Sequence, residues 1–142
     1  MIVVDDEDRE NEDDLIMAAE HFTPQALAFY MRHTSGLICA PLPPEVADRL
    51  GLPPMVRDNE DAAGTAYTVS VDAAEGIESG ISAADRARTL RVLAGLDTTA
   101  GMVRRPGTCS RCAPDLVASP SARPHGGGGG ADAPVRPRPR SP

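Results

Sequence analysis

Acidic side chains crowd one stretch of the chain, Val3 to Glu20, in which nine residues are Asp or Glu and Arg9 is the one base. Apolar residues flank the acids on both sides, with Leu15–Met17 following them. We therefore expect the acids to lie on a short connection between two buried segments, which forces their carboxylates together. Packed carboxylates repel one another unless a cation or protons neutralise them. Hard oxygen ligands without nearby Cys or His suit Mg²⁺ or Mn²⁺, and the planar guanidinium of Arg9 suits a phosphate or carboxylate.

A metal beside an anion-binding arginine indicates a phosphorylated small molecule as the ligand. The alternative is a solvated acidic loop without a ligand, and composition alone leaves both open. An EF-hand calcium loop fits poorly. If Asp6 is loop position one, Asn11 stands at the position that needs Gly, and Met17 stands where the bidentate Glu belongs.

The elements that position this stretch begin with a strand at Ile2–Val4. Thr23 and Pro24 predict the start of a helix, which Gly36 ends, and its apolar face carries Leu27, Tyr30, Met31 and Thr34. Leu37 to Ala40 suits a buried strand. His33, at the junction, is interpreted as a histidine that bonds the last helical carbonyls, with a catalytic role as the alternative. Cys39 is interpreted as a small buried hydrophobe.

The second half of the chain adds two helices and a strand. Pro44 to Leu50 predicts a short helix closed by Gly51, and the alternation in Thr65 to Val71 predicts a strand. Ser82 and Asp85 form a capping-box pattern, so a helix begins there and runs to about Leu93. Its free amides could bind a phosphate, although capping alone also explains Ser82. Strands separated by helices predict an α/β layer arrangement.

Bulk composition excludes several classes of protein. The chain has 142 residues, enough for one domain with a modest core. A net charge of −7 argues against a nucleic-acid partner. Without a membrane-length apolar run or a signal peptide, we expect no membrane association, a cytoplasmic location and reduced thiols.

The composition changes near Arg104. Beyond it lie eight of the fourteen prolines and six of the thirteen glycines. We therefore predict an ordered part, residues 1–107, and a disordered Pro/Gly/Arg-rich tail, residues 108–142.

Four blocks in one order resemble the 3,4-dihydroxy-2-butanone 4-phosphate synthase family. The acidic block Asp5–Glu12, followed by Asp14-Leu15-Ile16, is similar to the family's defining motif. The others are Arg32–Cys39, Leu52-Pro53 with Met55-Val56, and Thr68–Asp72 running on to Gly80–Arg86. The resemblance covers about Ile2 to Gly107.

This resemblance implies a mixed-sheet α/β sandwich, incomplete here, and a homodimer. It implies a lyase of riboflavin biosynthesis that converts D-ribulose 5-phosphate to L-3,4-dihydroxy-2-butanone 4-phosphate and formate with Mg²⁺ or Mn²⁺. Matched residue by residue, Glu10 would be a metal ligand. Glu10 and Glu12 would be catalytic, and the substrate would be bound by Arg9, Asp14, Asp5 and Ser82.

The sequence departs from the family pattern after Gly107. Thr108 stands where the family has an essential histidine, and the family's later metal-binding histidine block is also missing. Codons chosen for residues 108–113, with one C added in front, read His-Val-Phe-Pro-Leu-Arg, which is the family's own block. A frameshift is therefore our hypothesis, and an inactive remnant that at most pairs with an intact subunit is the alternative function. Asp13, at an expected turn, and Glu78, near the expected phosphate, also depart from the pattern.

Overall fold

The computed structural model describes residues 1–4, 13–61 and 64–109. Four strands and three helices follow one another in these residues, and short 3₁₀ turns at Ala19–His21 and Ala100–Met102 connect some of them. In chain order the elements are β1 (Ile2–Val4), β2 (Asp13–Leu15), α1 (Pro24–His33), α2 (Pro44–Leu50), β3 (Val71–Ala73), α3 (Ala83–Ala94) and β4 (Val103–Cys109).

Strands β1 and β2 form an antiparallel hairpin that brings the two ends of the acidic stretch together. Ile2 pairs with Leu15 and Val4 pairs with Asp13, so residues 5–12 connect two paired positions. The expectation that buried segments flank the acids is wrong, because Ile2 is 66% exposed and Met17 is 39% exposed. Asp13 lies in β2 and not at a turn.

Helix α1 begins as its sequence predicts. The Thr23 side chain accepts a hydrogen bond from the backbone N–H of Ala26, and Pro24 occupies the first turn. Leu27 is fully buried, and Tyr30 packs against the core. The helix ends at His33, where both the N–H and the hydroxyl of Thr34 bond to the Tyr30 carbonyl. Thr34 therefore closes the helix, which corrects the roles predicted for His33 and for Gly36.

Two segments predicted as strands are largely irregular. In Leu37–Ala40, Ile38 and Ala40 are buried but no strand forms, and Leu37 is 60% exposed. In Thr65–Val71, Thr68 makes an isolated bridge to Pro54, and a strand begins at Val71. The apolar composition of these segments correctly predicted that parts of them are buried. A ladder also needs a neighbouring strand, which local sequence does not reveal.

Helices α2 and α3 follow their capping signals. Gly51 adopts a left-handed conformation, φ 63°, and closes α2 as predicted. Ser82 caps α3 by accepting from the N–H of Asp85 at 3.0 Å. The Asp85 carboxylate does not complete a capping box within the helix. It accepts the N–H groups of Glu78 at 3.4 Å and Gly80 at 3.1 Å, and so holds the preceding loop.

Strands β3 and β4 form the second antiparallel pair. Ala73 pairs with Val103 and Val71 pairs with Cys109, with an irregularity beside Val71. The peptide bond between Arg105 and Pro106 is cis. Because β4 continues to Cys109, which is fully buried, the disorder predicted from residue 108 is wrong for Thr108 and Cys109. Residues 110–142 lie outside the described part of the chain.

One apolar core joins the helices to β3 and β4. The predicted α/β class is confirmed, and both strand pairs within the described residues are antiparallel. In the described ranges, no helix combines the length and the apolarity that crossing a bilayer requires. The most deeply buried apolar side chains of the core are Leu27, Ala47, Leu50, Val71, Ala73, Ala87, Leu90, Leu93 and Cys109.

Candidate functional site

A cavity of about 660 Å³ lies between the β1–β2 hairpin and the end of α1. The hairpin contributes Asp13 and Asp14, and the helix contributes Phe29, Tyr30 and His33. Within the described residues, the turn after α1 supplies the rest of the cavity wall. The remaining lining residues are Ile2, Leu15, Thr34, Ser35, Leu37 and Ile38.

Exposed carboxylates mark the hairpin side of the cavity. Asp14 pairs with Val3 in the ladder, and its neighbour Asp13 pairs with Val4, where the acidic stretch begins. Both aspartates are exposed and line the cavity. Residues 5–12, which connect these two strands, lie outside the described residues.

The helical side of the cavity is aromatic. The Phe29 and His33 rings lie 4.4 Å apart between centroids, at an interplanar angle of 40°. Tyr30 packs edge-on against Phe22 at 5.0 Å, and burial raises the pKa of its hydroxyl. The exposed His33 side chain thus offers hydrogen-bonding nitrogens at the cavity wall.

The turn at residues 34–37 is held by its own side chains. The N–H of Gly36 donates to the Thr34 hydroxyl at 3.2 Å, and the N–H of Leu37 donates to the Ser35 hydroxyl at 3.4 Å. Gly36 has φ 78°, a conformation that residues with a side chain rarely adopt. Thr34 and Ser35 therefore line the cavity from a defined backbone.

The predicted site residues divide into three groups. Asp14 lies at the cavity. Ser82 is exposed and caps α3, and it is absent from the described lining of the cavity. Asp5, Arg9, Glu10 and Glu12 lie outside the described residues. Asp13, Phe29 and Tyr30 were not predicted to border a site, because their places depend on pairing and packing.

A junction at Thr108 was also not predicted. The buried Asp72 accepts the Thr108 N–H at 2.9 Å, and the Thr108 hydroxyl lies 2.6 Å from the Gly80 carbonyl oxygen. Next to it, burial raises the pKa of the Cys109 thiol to about 11, with a smaller opposing contribution from Thr108. This thiol is therefore un-ionised at neutral pH and unsuited to nucleophilic chemistry. Cys39 is partly buried.

The donor chemistry at the cavity suits a hard divalent cation. Asp13 and Asp14 supply carboxylate oxygens, the ligand type that Mg²⁺ and Mn²⁺ prefer. No cluster of three candidate ligands occurs within residues 1–4, 13–61 and 64–109. The acids that would complete a ligand set, Glu10 among them, belong to the connection between β1 and β2.

Relatives of known name share this architecture and much of this sequence. A profile of the 3,4-dihydroxy-2-butanone 4-phosphate synthase family matches residues 1–114. Riboflavin biosynthesis protein RibBA of Nocardia farcinica is 64% identical over 107 residues, which are 75% of this chain and 26% of the relative. RibBA of Rhodococcus erythropolis is 60% identical over 107 residues, 75% of this chain and 25% of that protein. The chain thus spans about a quarter of the length of these relatives.

Solved structures agree with the sequence relatives. A crystal structure of 3,4-dihydroxy-2-butanone 4-phosphate synthase in complex with two magnesium ions superposes with a TM-score of 0.77 at 53% identity. The match covers 79% of this chain and 52% of that one. The sequence profile, the relatives and the fold agree, and the chain belongs to the 3,4-dihydroxy-2-butanone 4-phosphate synthase family.

Proposed function

We propose that this chain carries the N-terminal half of the site of a lyase that converts D-ribulose 5-phosphate to L-3,4-dihydroxy-2-butanone 4-phosphate and formate. The observation that carries the proposal is the position of Asp14. The residue matched to a substrate contact lies at the cavity of about 660 Å³, and the acidic connection begins beside it. A cavity of this volume falls within the usual range of small-molecule sites, about 300–1,000 Å³.

The reaction requires removal of a proton next to a carbonyl and stabilisation of the resulting enediolate. Asp14 would accept hydrogen bonds from sugar hydroxyl groups. Arg9 would pair with an anionic group of the substrate, because its guanidinium can bind two oxygens at once. Glu12 and Asp5 would support the same site from the acidic connection. Ser82 would contact the substrate only if the phosphate reached the start of α3.

Glu10 is the proposed metal ligand. Mg²⁺ or Mn²⁺, when bound, would supply positive charge against the charge that develops on the sugar oxygens. The similar crystal structure that contains two magnesium ions supports the choice of a divalent cation, with Mg²⁺ as the first candidate. The proposal of Mn²⁺ as the alternative metal rests on the same preference for oxygen ligands.

We also propose a homodimer. Apolar side chains are exposed around the cavity, with Phe29 at 53%, Leu37 at 60% and Ile2 at 66% exposure. Aromatic and aliphatic groups grouped on one exposed surface are typical of protein interfaces. A second copy of the chain, as the resemblance implies, would cover them.

One observation favours the alternative of an inactive remnant. Thr108 occupies the position of the family's histidine, and its hydroxyl lies within hydrogen-bonding distance of Asp72 and Gly80. A threonine cannot exchange protons near pH 7 as an imidazole can. A chain lacking this group could still pair with an intact subunit.

Ligand binding tests the proposed site. With Mg²⁺ present, adding D-ribulose 5-phosphate to the ¹⁵N-labelled chain should shift the amide signals of Asp14, His33 and Ser35. Glu10→Gln and Asp14→Asn should each weaken this binding about tenfold, the effect of losing a hydrogen bond to a charged group. Asp97→Asn, at an exposed position, is the matched control. Equal affinity in all variants would overturn the proposed site.

Formate release separates the lyase from the remnant. We expect no detectable formate from the 142-residue chain, because losing a positioned acid–base group costs about 10²–10⁴ in rate. Restoring the alternative frame after Gly107 should bring activity back, and Glu10→Ala in that protein should abolish it. Ready formate release by the chain as written would overturn the remnant alternative.

A further inference from the structure

Arg86 connects α3 to the turn that borders the cavity. Its Nη1 donates to the Gly36 carbonyl at 3.2 Å, across 50 positions of sequence. Its Nε is buried and has no hydrogen-bond partner among the described residues. A buried N–H without a partner is unfavourable, and the bond from Nη1 to the Gly36 carbonyl offsets part of that cost.

The hydrogen bond from Arg86 reaches the Gly36 carbonyl, a group that the side chains of the turn itself do not bond. Thr34 and Ser35 accept the N–H groups of Gly36 and Leu37, as described above. The Gly36 carbonyl instead takes its donor from a different element, α3. A β-carbon at Gly36 would meet one atom, the Met31 carbonyl oxygen at 4.0 Å, so packing around the glycine restrains it little.

The same end of α3 also holds the loop before it. Asp85, which precedes Arg86, accepts the N–H groups of Glu78 and Gly80. Ser82 caps this end of the helix, which fixes the backbone from which both side chains project. One rigid helical turn therefore restrains two loops through adjacent residues.

We infer that Arg86 is a positioning residue: by bonding the Gly36 carbonyl it sets the turn whose residues Ser35 and Leu37 line the cavity, and so shapes the cavity for its ligand. The effect on ligand affinity rests on the proposed function, whereas the effect on the turn does not. A purely structural role for Arg86 would change global stability without a specific change at residues 34–37.

The test compares Arg86→Met and Arg86→Lys with Arg88→Met. Arg88 lies on the same helix and donates from Nε to the Glu75 carbonyl at 2.7 Å, so it matches the type of bond removed, away from the cavity. The 142-residue chain is used throughout. The measurements are hydrogen exchange of the Gly36 and Leu37 amides, the dissociation constant of D-ribulose 5-phosphate with Mg²⁺, and the thermal midpoint.

Arg86→Met should speed amide exchange at Gly36 and Leu37 about tenfold. It should raise the dissociation constant of the sugar phosphate by a similar factor, which is the effect of one lost charged hydrogen bond. The exchange rates and the dissociation constant of Arg86→Lys should fall between those of Arg86→Met and the unchanged chain, because lysine keeps the positive charge but not the planar guanidinium. Arg88→Met should change neither the exchange rates nor the dissociation constant, even if it lowers the thermal midpoint as much as Arg86→Met does.

Exchange and affinity in Arg86→Met that equal those of Arg88→Met would overturn the inference. If Arg86→Met does not fold, Arg86→Lys decides on the same two measurements. If no protein, including the unchanged chain, binds D-ribulose 5-phosphate, the proposed function fails, and the exchange at Gly36 and Leu37 still decides the role of Arg86.

Discussion

Thr108 approaches Asp72 twice, through its backbone N–H and through its hydroxyl, each 2.9 Å from the same carboxylate oxygen. The hydroxyl also lies 2.6 Å from the Gly80 carbonyl oxygen. A hydroxyl has one proton, so the two acceptors share it. Gly80 allows this arrangement because a β-carbon there would stand 2.3 Å from the Asp72 carboxylate. Position 108 therefore joins β4, β3 and the loop before α3.

Thr108→Val tests this junction. The substitution keeps the shape of the side chain and removes the donor, which leaves Asp72 and Gly80 without their hydroxyl partner. We expect a loss of about 1–3 kcal/mol in the free energy of unfolding, measured with urea. Thr99→Val is the control, since Thr99 is exposed and makes no capping bond. Equal losses in both variants would contradict a specific role for the Thr108 hydroxyl.

Gly107→Ala should disrupt the approach of β4 to β3. An added β-carbon would lie 2.0 Å from the Val71 carbonyl carbon and 2.3 Å from the Asp72 nitrogen, and backbone atoms cannot move aside cheaply. We expect a loss of about 3 kcal/mol, the upper part of the usual cost of overpacking. Gly101→Ala meets nothing within 4 Å and is the matched control. Circular dichroism during urea unfolding measures both, and a Gly107→Ala chain as stable as the control would refute the close approach.

The Cys109 thiol predicts how stability changes in alkaline solution. Burial raises its pKa from 9.0 to about 11 in the folded chain. Above pH 9 the unfolded chain releases this proton and the folded chain retains it, so stability falls as pH rises from 9 to 11. The loss should be about 2–3 kcal/mol, at 1.4 kcal/mol per pKa unit. Cys109→Ala should remove this part of the pH dependence in urea titrations, and an unchanged slope would contradict it.

The homodimer prediction concerns the apolar side chains around the cavity. Phe29→Asp and Leu37→Asp would place charge in the proposed interface, and each should convert a dimer to a monomer, measured by light scattering after size-exclusion chromatography. Leu96 is 88% exposed and does not line the cavity, so Leu96→Asp serves as the control. A monomeric unchanged chain, or dissociation by the control alone, would refute this interface.

Local signals in the sequence were sufficient for the starts of α1 and α3 and for the end of α2. Thr23, Gly51 and Ser82 cap helices α1, α2 and α3 as predicted, because capping depends on residues within one turn. Strands were predicted less well, since Leu37–Ala40 had the apolar character of a strand but forms none. The ladder between β3 and β4 depends on a partner about thirty residues away along the chain.

The same distinction between local and distant contacts applies to the site. Asp14 was predicted through the acidic motif and does line the cavity. Arg86 lies inside a matched block, yet its bond to Gly36 crosses 50 positions and has no local pattern. The Asp72–Thr108 pair was missed for the same reason, and because Thr108 was assigned to a disordered tail.

The β1–β2 hairpin would couple the folding of the N-terminus to ligand binding if the proposed site is correct. Its two strands are three residues each, and a two-stranded hairpin is marginally stable by itself in water. Residues 5–12 are its connection, so a cation bound there would favour the paired state according to its concentration relative to its dissociation constant. A change that weakens the pairing of Val4 with Asp13 would lower the apparent affinity for such a cation in proportion to the fraction of chains left unpaired. If the proposed site binds magnesium, the magnesium concentration would therefore also set how much of the β1–β2 hairpin is paired.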